Sequence, residues 1–404
     1  MSMKKFACMF LLACVFVFPC FGEEGNLQEV LDFALRTPVL NTTPGPEYNL
    51  DALDYAMNCG IAQTPQGRLW ACWIAGGDSP DAFCVCARSD DDGATWSEPC
   101  LVVDPPEAPN GCRVRCLIAN FWTDPDGKLW FFFDIGLSGQ DSRVGLWAAF
   151  CENPDAEEPT WSEPVRIANG AFHNKPWVTK DGTWILPVEL YDRYYSQWSF
   201  AEVGAGFQGF PELDAERGIT LLTSSDRGKS WQVRSRVVFP VSAGEEPVLL
   251  EKTDGRFWLL ARTPLGMFQC LSSDEGHVWS APCPAFANPV TRFCLIRLKS
   301  GRLLFIRHGS PAGEEKHRAR LTACISEDDG KTWSDGLLLD TRPNVSYPDG
   351  FQNADGKIYI THDFDRGNVA EIVLSVFTEE DVLAGKLVSE GSRLGVVINK
   401  RSQK

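Results

Sequence analysis

The chain has 404 residues, with 54 acidic against 38 basic side chains and a formal net charge of −16 at pH 7. A chain this acidic disfavours nucleic acid as a partner, because that binding needs cationic side chains that neutralise phosphates. No stretch beyond the N-terminal region is long and apolar enough for a transmembrane helix, and any anionic ligand needs a local basic pocket.

The N-terminal residues are typical of a secretory signal. Two lysines precede an apolar stretch from Phe6 to Phe18, and Cys20-Phe21-Gly22 follows as a cleavage site. We therefore expect a signal peptide over residues 1–22 and a mature chain that is secreted or periplasmic. Lipoprotein anchoring through Cys14 or Cys20 is less favoured, because neither has a convincing lipobox around it.

Six short turns organise the rest of the chain. Residues 23–56 form a lead-in segment, in which the stretch NLQEVLDFALR favours a short amphipathic helix. Asp-Gly or a similar pair then recurs between apolar runs, which is a strong hairpin signal. Strand repeats of this length predict a radial array, so we expect an all-β, six-bladed β-propeller of four-stranded antiparallel blades over residues 57–400. The turn glycines are Gly67, Gly127, Gly182, Gly255, Gly301 and Gly356.

A second repeated turn has the form Ser-x-Asp-x-Gly-x-x-Trp, here called the Asp box. We expect it to be structural, because its Asp can accept hydrogen bonds from turn amides while Gly takes an unusual φ. If the strands of a blade are A to D from the centre outward, the glycine turn joins A to B and the Asp box joins C to D. Both turns then lie on one face of the disc, and a functional site belongs on the other. The copies are Ser89–Trp96, Ser224–Trp231, Ser272–Trp279 and Ser326–Trp333, with a worn copy at Asn153–Trp161.

Four Asp boxes on six predicted four-stranded units resemble the sialidase superfamily, also called BNR or Asp-box repeat proteins. The resemblance implies a retaining glycoside hydrolase that releases a terminal sialic or related acidic sugar from glycans, without a metal or organic cofactor. It also implies a tyrosine nucleophile whose proton passes to a glutamate, and an aspartate as acid/base. Arginines would grip the sugar carboxylate through their planar fork.

Two motifs carry the implied catalytic pair. Glu246 and Arg262 resemble the pattern in which a Glu opens an inner strand and an Arg closes the next, and strand geometry returns both to one face. Ser346-Tyr347-Pro348-Asp349 resembles the motif of the tyrosine nucleophile and again begins an inner strand. Arg318 resembles a further carboxylate-binding arginine, with Arg320 as the competing candidate. The alternatives are a structural Glu–Arg pair and a tyrosine that only caps the channel.

The chain departs from the family pattern in blade one. The family usually opens this blade with Arg-Ile-Pro, whereas the chain reads Met57-Asn58-Cys59-Gly60-Ile61. Arg113 and Arg115, which open blade two, are the candidates to compensate. The missing arginine weakens the inference to a sialic acid as substrate.

Other candidates lie on the same predicted face. Asp78 and Asp81 of blade one are both candidates for the acid/base, with Asp81 slightly preferred because it is closer to a strand. His173 and Lys175 open blade three and are candidates to bind a hydroxyl, carboxylate or sulfate. For His173 a structural role is the favoured alternative.

Two rival functions fit the same pattern: a glycan-binding propeller without catalysis, and a hydrolase or lyase for another acidic sugar. Twelve of the 15 cysteines follow the predicted signal, with no zinc-type spacing among them. We expect buried free thiols, with one or two disulfides as the alternative in an oxidising compartment.

Overall fold

The computed structural model of the chain describes residues 27–195, 200–241, 244–309 and 316–401. The predicted signal peptide lies outside the described residues. None of the helices in these ranges has the length and apolarity needed to cross a bilayer.

Within these described ranges, twenty-five strands form six antiparallel sheets, which confirms the predicted six-bladed propeller. Blades one to three contain β1 Met57–Gln63, β2 Leu69–Ala75, β3 Phe83–Ser89, β4 Leu101–Val103; β5 Val114–Arg115, β6 Ala119–Thr123, β7 Leu129–Leu137, β8 Gly145–Cys151, β9 Val165–Asn169; and β10 Trp177–Val178, β11 Trp184–Leu190, β12 Gly218–Ser224, β13 Gln232–Val237. Blades four to six contain β14 Val248–Glu251, β15 Phe257–Thr263, β16 Gly266–Ser272, β17 Cys283–Phe286; β18 Cys294–Arg297, β19 Leu303–His308, β20 Ala319–Ser326, β21 Leu337–Pro343; and β22 Val345–Gln352, β23 Ile358–Phe364, β24 Glu371–Phe377, β25 Arg393–Asn399.

Helices are few and peripheral. The lead-in segment contains α1 (Leu27–Phe33), as its amphipathic pattern predicts, and α2 (Phe200–Val203) lies in the long loop of blade three. In the tail, α3 (Glu379–Ala384) begins with a capping box at Thr378 and ends at Gly385, which is left-handed. The described part of the chain also has two 3-10 helices, Pro46–Tyr48 and Pro211–Glu216.

The core lies between neighbouring blades. The B strands are largely apolar because both faces are covered, as in β2 and β7, where every residue is buried. Aromatic rings fill much of this space; Trp130, for example, meets Trp184 of the next blade edge-on at 5.5 Å. The twelve cysteines in the described ranges are all free, and most are buried, so the disulfide alternative is not realised.

The Asp boxes are structural turns, as predicted. In the first box Ser89 donates to Asp91 at 2.8 Å and accepts from the amide of Gly93, while Asp91 accepts from the amide of Thr95. The glycine is needed twice over: its φ is +84°, and a Cβ there would lie 2.5 Å from Leu374 of blade six. The box therefore locks one blade against its neighbour.

Blade two has an irregular inner strand that matters for the site. Its A strand is broken into β5 and β6, both paired with β7. The carboxylate of Asp134 fills the gap by accepting from the amides of Leu117 and Ile118 at 2.6 and 2.8 Å. The same carboxylate holds Arg115, so the break opens the channel mouth without leaving unpaired amides.

Candidate active site

A pocket of about 140 Å³ lies at the mouth of the central channel, on the face opposite the Asp boxes. B–C loops and the connections between blades line it, as strand polarity predicts. Larger clefts exist, including one of about 810 Å³ near the lead-in segment and the worn box, and one of about 270 Å³ lined in part by Lys175 and Asp349. Six of the predicted site residues line the channel-mouth pocket: Asp78, Arg115, His173, Glu246, Arg262 and Tyr347.

Tyr347, Glu246 and Arg262 form the centre of this pocket. A guanidinium nitrogen of Arg262 lies 3.1 Å from the Glu246 carboxylate and 3.4 Å from the Tyr347 hydroxyl. Burial, followed by the negative charge of Glu246 and a hydrogen bond to it, raises the pKa of Tyr347 to about 12. The phenol is therefore protonated at neutral pH and has a carboxylate beside it that can accept its proton.

Both members of this pair have unusual backbone geometry. Glu246 has a φ of +45° and Tyr347 a φ of +51°, in the left-handed region that side chains other than glycine rarely adopt. Tyr347 lies at a register shift between Ser346 and Asp349, where β22 bulges against β23. Such strain costs about 1–3 kcal/mol per residue and concentrates at functional sites, so the neighbouring structure must stabilise it.

Glu189, at the end of β11, supports the backbone of Glu246. Its two carboxylate oxygens accept from the amides of Glu245 and Glu246 at 2.6 and 2.9 Å. The side chain is fully buried, and burial together with the charge of Glu245 raises its pKa well above the usual value. Sequence reasoning missed this residue; its only signal is an acidic side chain inside the buried run WILPVEL.

Two further arginines flank the Tyr347 ring. The guanidinium carbon of Arg366 lies 4.0 Å from the ring centroid, and that of Arg318 lies 5.7 Å from it. Arg366 is held by Asp363 at 3.1 Å and by the Ser346 hydroxyl at 2.9 Å. Burial, followed by repulsion from Arg366, lowers the pKa of Arg318.

The family model of the BNR repeat-like domain matches residues 67–360. The chain belongs to this family. It has six blades, and sialidases are among the solved structures that share its fold, so its fold is that of a sialidase-like BNR propeller. No curated protein matches the chain in sequence.

Solved structures with the same fold include several sialidases. A Hadza microbial sialidase is 17% identical, with 83% of this chain and 69% of that chain covered and a TM-score of 0.61. A Trypanosoma rangeli sialidase in complex with sialic acid is 17% identical, with 82% and 55% covered and a TM-score of 0.60. A Dyadobacter fermentans protein of unknown function is 14% identical, with 84% and 98% covered and a TM-score of 0.58. At these identities the likeness shows the fold alone.

Four predicted site residues of the BNR propeller are not among those that line the pocket: Asp81, Arg113, Lys175 and Arg318. Asp81, preferred from the sequence as acid/base, forms an exposed ion pair with Arg113 at 2.8 Å, and Arg113 also binds Glu107. The structure therefore directs both side chains to the surface and leaves Asp78 at the pocket. Lys175 points down the channel to Asp349, because strand alternation turns it away from the mouth.

Of the two arginines expected from blade two, Arg115 reaches the pocket and Arg113 does not. Arg115 lines the pocket, but its charge is matched by Asp134 at 2.8 Å, and both side chains are buried. Arg366 lies instead beside Tyr347, on the B–C hairpin of blade six. That hairpin is short and lies outside every motif described above, so no pattern in the sequence indicated Arg366. Of the two candidates in blade five, Arg318 approaches Tyr347, whereas Arg320 is exposed.

The opposite wall of the pocket is a histidine–tyrosine arrangement. His173 is buried, and a ring nitrogen lies 3.2 Å from the Tyr191 hydroxyl. Burial and the nearby charges of Arg292 and Arg262 lower the pKa of His173 well below its usual value, so the ring is neutral. Tyr191 stacks on Tyr195 with centroids 5.2 Å apart, which gives the pocket an aromatic rim.

A buried ionic network closes the channel beneath the pocket. Asp349 accepts from Arg292 at 2.9 Å, from Lys175 at 2.5 Å and from the amide of Ile61 at 3.1 Å. Arg292 also donates to the carbonyls of Cys59 and His173. These contacts join inner strands from several blades, and they give the pocket a rigid floor.

Within the described residues, no cluster of three or more His, Cys, Asp or Glu side chains has the arrangement to hold a metal ion.

Proposed function

We propose that the chain is an exported, sialidase-like retaining glycoside hydrolase that releases a terminal sialic or related acidic sugar from glycans. The observation that carries this proposal is the contact among Tyr347, Glu246 and Arg262 in one small pocket. Export rests on the signal-like residues 1–22 and brings the enzyme to extracellular or periplasmic glycans.

The charge balance of the pocket supports an anionic sugar. Arg262, Arg318 and Arg366 surround Tyr347, while Glu246 and Asp363 are the carboxylates that contact the first and the last of these arginines. Among these five side chains one positive charge is in surplus, in a chain whose net charge is −16. A sugar carboxylate would neutralise that charge, and the planar guanidinium suits two-pronged recognition of it.

The proposed chemistry has two displacement steps. In the first, the Tyr347 oxygen bonds to the anomeric carbon while its proton passes to Glu246. The bond from that carbon to the aglycone oxygen breaks, and Asp78 protonates the departing oxygen. In the second, Asp78 takes a proton from water, which attacks the same carbon, and Tyr347 leaves as a phenol after regaining its proton from Glu246.

A neutral phenol suits a carbon that bears a carboxylate, because an attacking carboxylate would be repelled by it. Trypanosoma rangeli sialidase, which has a related fold, has been solved in complex with 2,3-difluorosialic acid as a covalent intermediate. This supports a covalent route on the same scaffold.

A second candidate, a hydrolase for a smaller acidic sugar, is favoured by the pocket volume. About 140 Å³ is below the range of roughly 300–1,000 Å³ typical of small-molecule sites. Met57 also lines the wall where the family usually has its first arginine. A sugar smaller than sialic acid would use the same pair and the same arginines.

The test is a panel of aryl glycosides of sialic and other acidic sugars, with Tyr347→Phe beside the parent chain. We expect Tyr347→Phe to lower kcat by on the order of 10³-fold or more, because nucleophile and proton donor are lost together. Ligand affinity, measured by calorimetry, should change little because one oxygen is removed.

The matched control is Arg113→Ala, which lies outside the pocket and should retain parental rates. Nearly full turnover in Tyr347→Phe would refute the mechanism. Binding of acidic glycans without turnover by the parent chain would favour the glycan-binding alternative.

A further inference from the structure

We infer that Glu189 is the positioning residue for Glu246, a role that rests on the proposed function of Glu246 as proton acceptor. The geometry points to it through two contacts at once. One carboxylate oxygen holds the amide of Glu245 and the other holds the amide of Glu246. A single side chain of blade three thus accepts hydrogen bonds from two consecutive backbone amides of the connection to blade four.

These two hydrogen bonds lie at a strained part of the backbone. The φ of +45° at Glu246 turns its side chain toward Tyr347 and Arg262, and a relaxed extended backbone would point it elsewhere. The carbonyl of Glu245 accepts from the amide of Arg262 at 2.7 Å, so this peptide is held from both sides. The carbonyl of Glu246 accepts from Asn174 at 3.0 Å. The carboxylate oxygens of Glu189 accept hydrogen bonds from the amides of the same two residues.

Glu189 does not reach the reacting atoms itself. It lies beneath the pocket with an exposed fraction of 0%, beside His173, whose ring nitrogen is 4.0 Å from the carboxylate. Its other charged or titratable neighbours include Glu245, Arg262, Tyr191 and Tyr195. A role through Glu246 is the one that its contacts allow.

The experiment compares Glu189→Gln with Glu371→Gln, a matched glutamate of blade six that is also buried but pairs with Arg342 of blade five. The glutamine amide keeps the size of Glu189 but has one carbonyl oxygen to offer the two backbone amides. We expect kcat to fall by about tenfold to a hundredfold with KM within about twofold, because misplacement by about 1 Å is enough for such losses. The Glu371→Gln variant should keep both constants.

Crystal structures of the two variants give a readout that needs no activity. We expect the φ of Glu246 to move toward the extended region in Glu189→Gln and its contact with Arg262 to lengthen. If the parent chain cleaves none of the glycosides, the proposed function fails while this readout still decides the positioning role. Should Glu189→Gln fail to fold, Glu189→Asp replaces it, because the shorter acid cannot reach both amides.

A Glu189→Gln variant that loses thermal stability but keeps parental kcat and an unchanged Glu246 backbone would overturn the inference and leave Glu189 a purely structural residue. A rise in KM at constant kcat would also overturn it, because that result assigns Glu189 to ligand binding.

Discussion

Arg366 shows how one side chain can change the electrostatics of a pocket. Its guanidinium lies over the Tyr347 ring, and Asp363 and Ser346 fix its orientation. Under the proposed mechanism, positive charge beside the phenol would favour the developing oxyanion and would attract a sugar carboxylate to the same place. In this chain the charge comes from blade six, next to the blade-one position where the family usually has an arginine.

We predict that Arg366→Ala weakens binding of an acidic sugar far more than binding of its neutral analogue. Loss of a buried charge-assisted contact costs on the order of 2–5 kcal/mol, whereas the neutral ligand loses only packing. Calorimetry with a sugar acid and its amide measures the difference, with Arg113→Ala as the surface control. Equal losses for both ligands would argue against carboxylate recognition by Arg366.

At the level of single elements, the four Asp boxes allow an internal comparison. In three of them a hydroxyl four residues after the Asp donates to its second oxygen at 2.6 Å, from Thr95, Ser230 and Thr332. The third box in the chain has Val278 at this position, so Asp274 lacks that bond. The valine is 69% exposed, which leaves room for a hydroxyl.

We predict that Val278→Thr stabilises the propeller slightly, because it adds this hydrogen bond without changing side-chain size. The melting temperature should rise by about 1–2 °C, and catalysis should be unchanged because the box lies on the face opposite the pocket. Val233 is an exposed valine on β13, and Val233→Thr is the control for the effect of replacing an exposed valine by threonine outside an Asp box. A gain in the control as large as in Val278→Thr would mean that the box bond contributes nothing.

The elements also show what sequence can and cannot specify. Turn chemistry and repeat spacing predicted six blades, because hairpin turns and Asp boxes are local and carry their own φ requirements. Tyr347, Glu246 and Arg262 were expected to share one face because their motifs resemble those of sialidases, and their distances from the glycine turns support that expectation. The choice between Asp78 and Asp81 depended on an ion pair with Arg113 from another blade, which no local pattern encodes. Long-range contacts likewise decide the role of Glu189.

At the scale of the whole molecule, the ring must be closed and its centre filled. Each described blade is built from one continuous segment, so no strand exchange between the chain ends joins blade six to blade one. Inner strands meet instead through side chains: Asp349 of blade six accepts from the amide of Ile61 in blade one, and Asp363 accepts from that of Asn58. The carboxylate of Asp349 also forms ion pairs with Arg292 of blade five and Lys175 of blade three.

Asp349→Asn should therefore destabilise the whole propeller rather than one blade. The side chain is 2% exposed, and its loss of charge leaves Arg292 and Lys175 without their shared carboxylate. Removing one partner of such a buried network costs about 3–5 kcal/mol, because the remaining charges stay desolvated. Urea unfolding followed by tryptophan fluorescence measures this loss as a lower midpoint.

The control for Asp349→Asn is Asp254→Asn, whose partner Arg256 lies beside it on an exposed turn. A surface pair of this kind contributes little, so its unfolding midpoint should stay at the parental value. Because Asp349 bridges several inner strands, its loss should lower the stability of all blades together and keep a single transition. A midpoint equal to that of the control would show that the central network is not what closes the ring, and a separate early transition would place its effect in one blade alone.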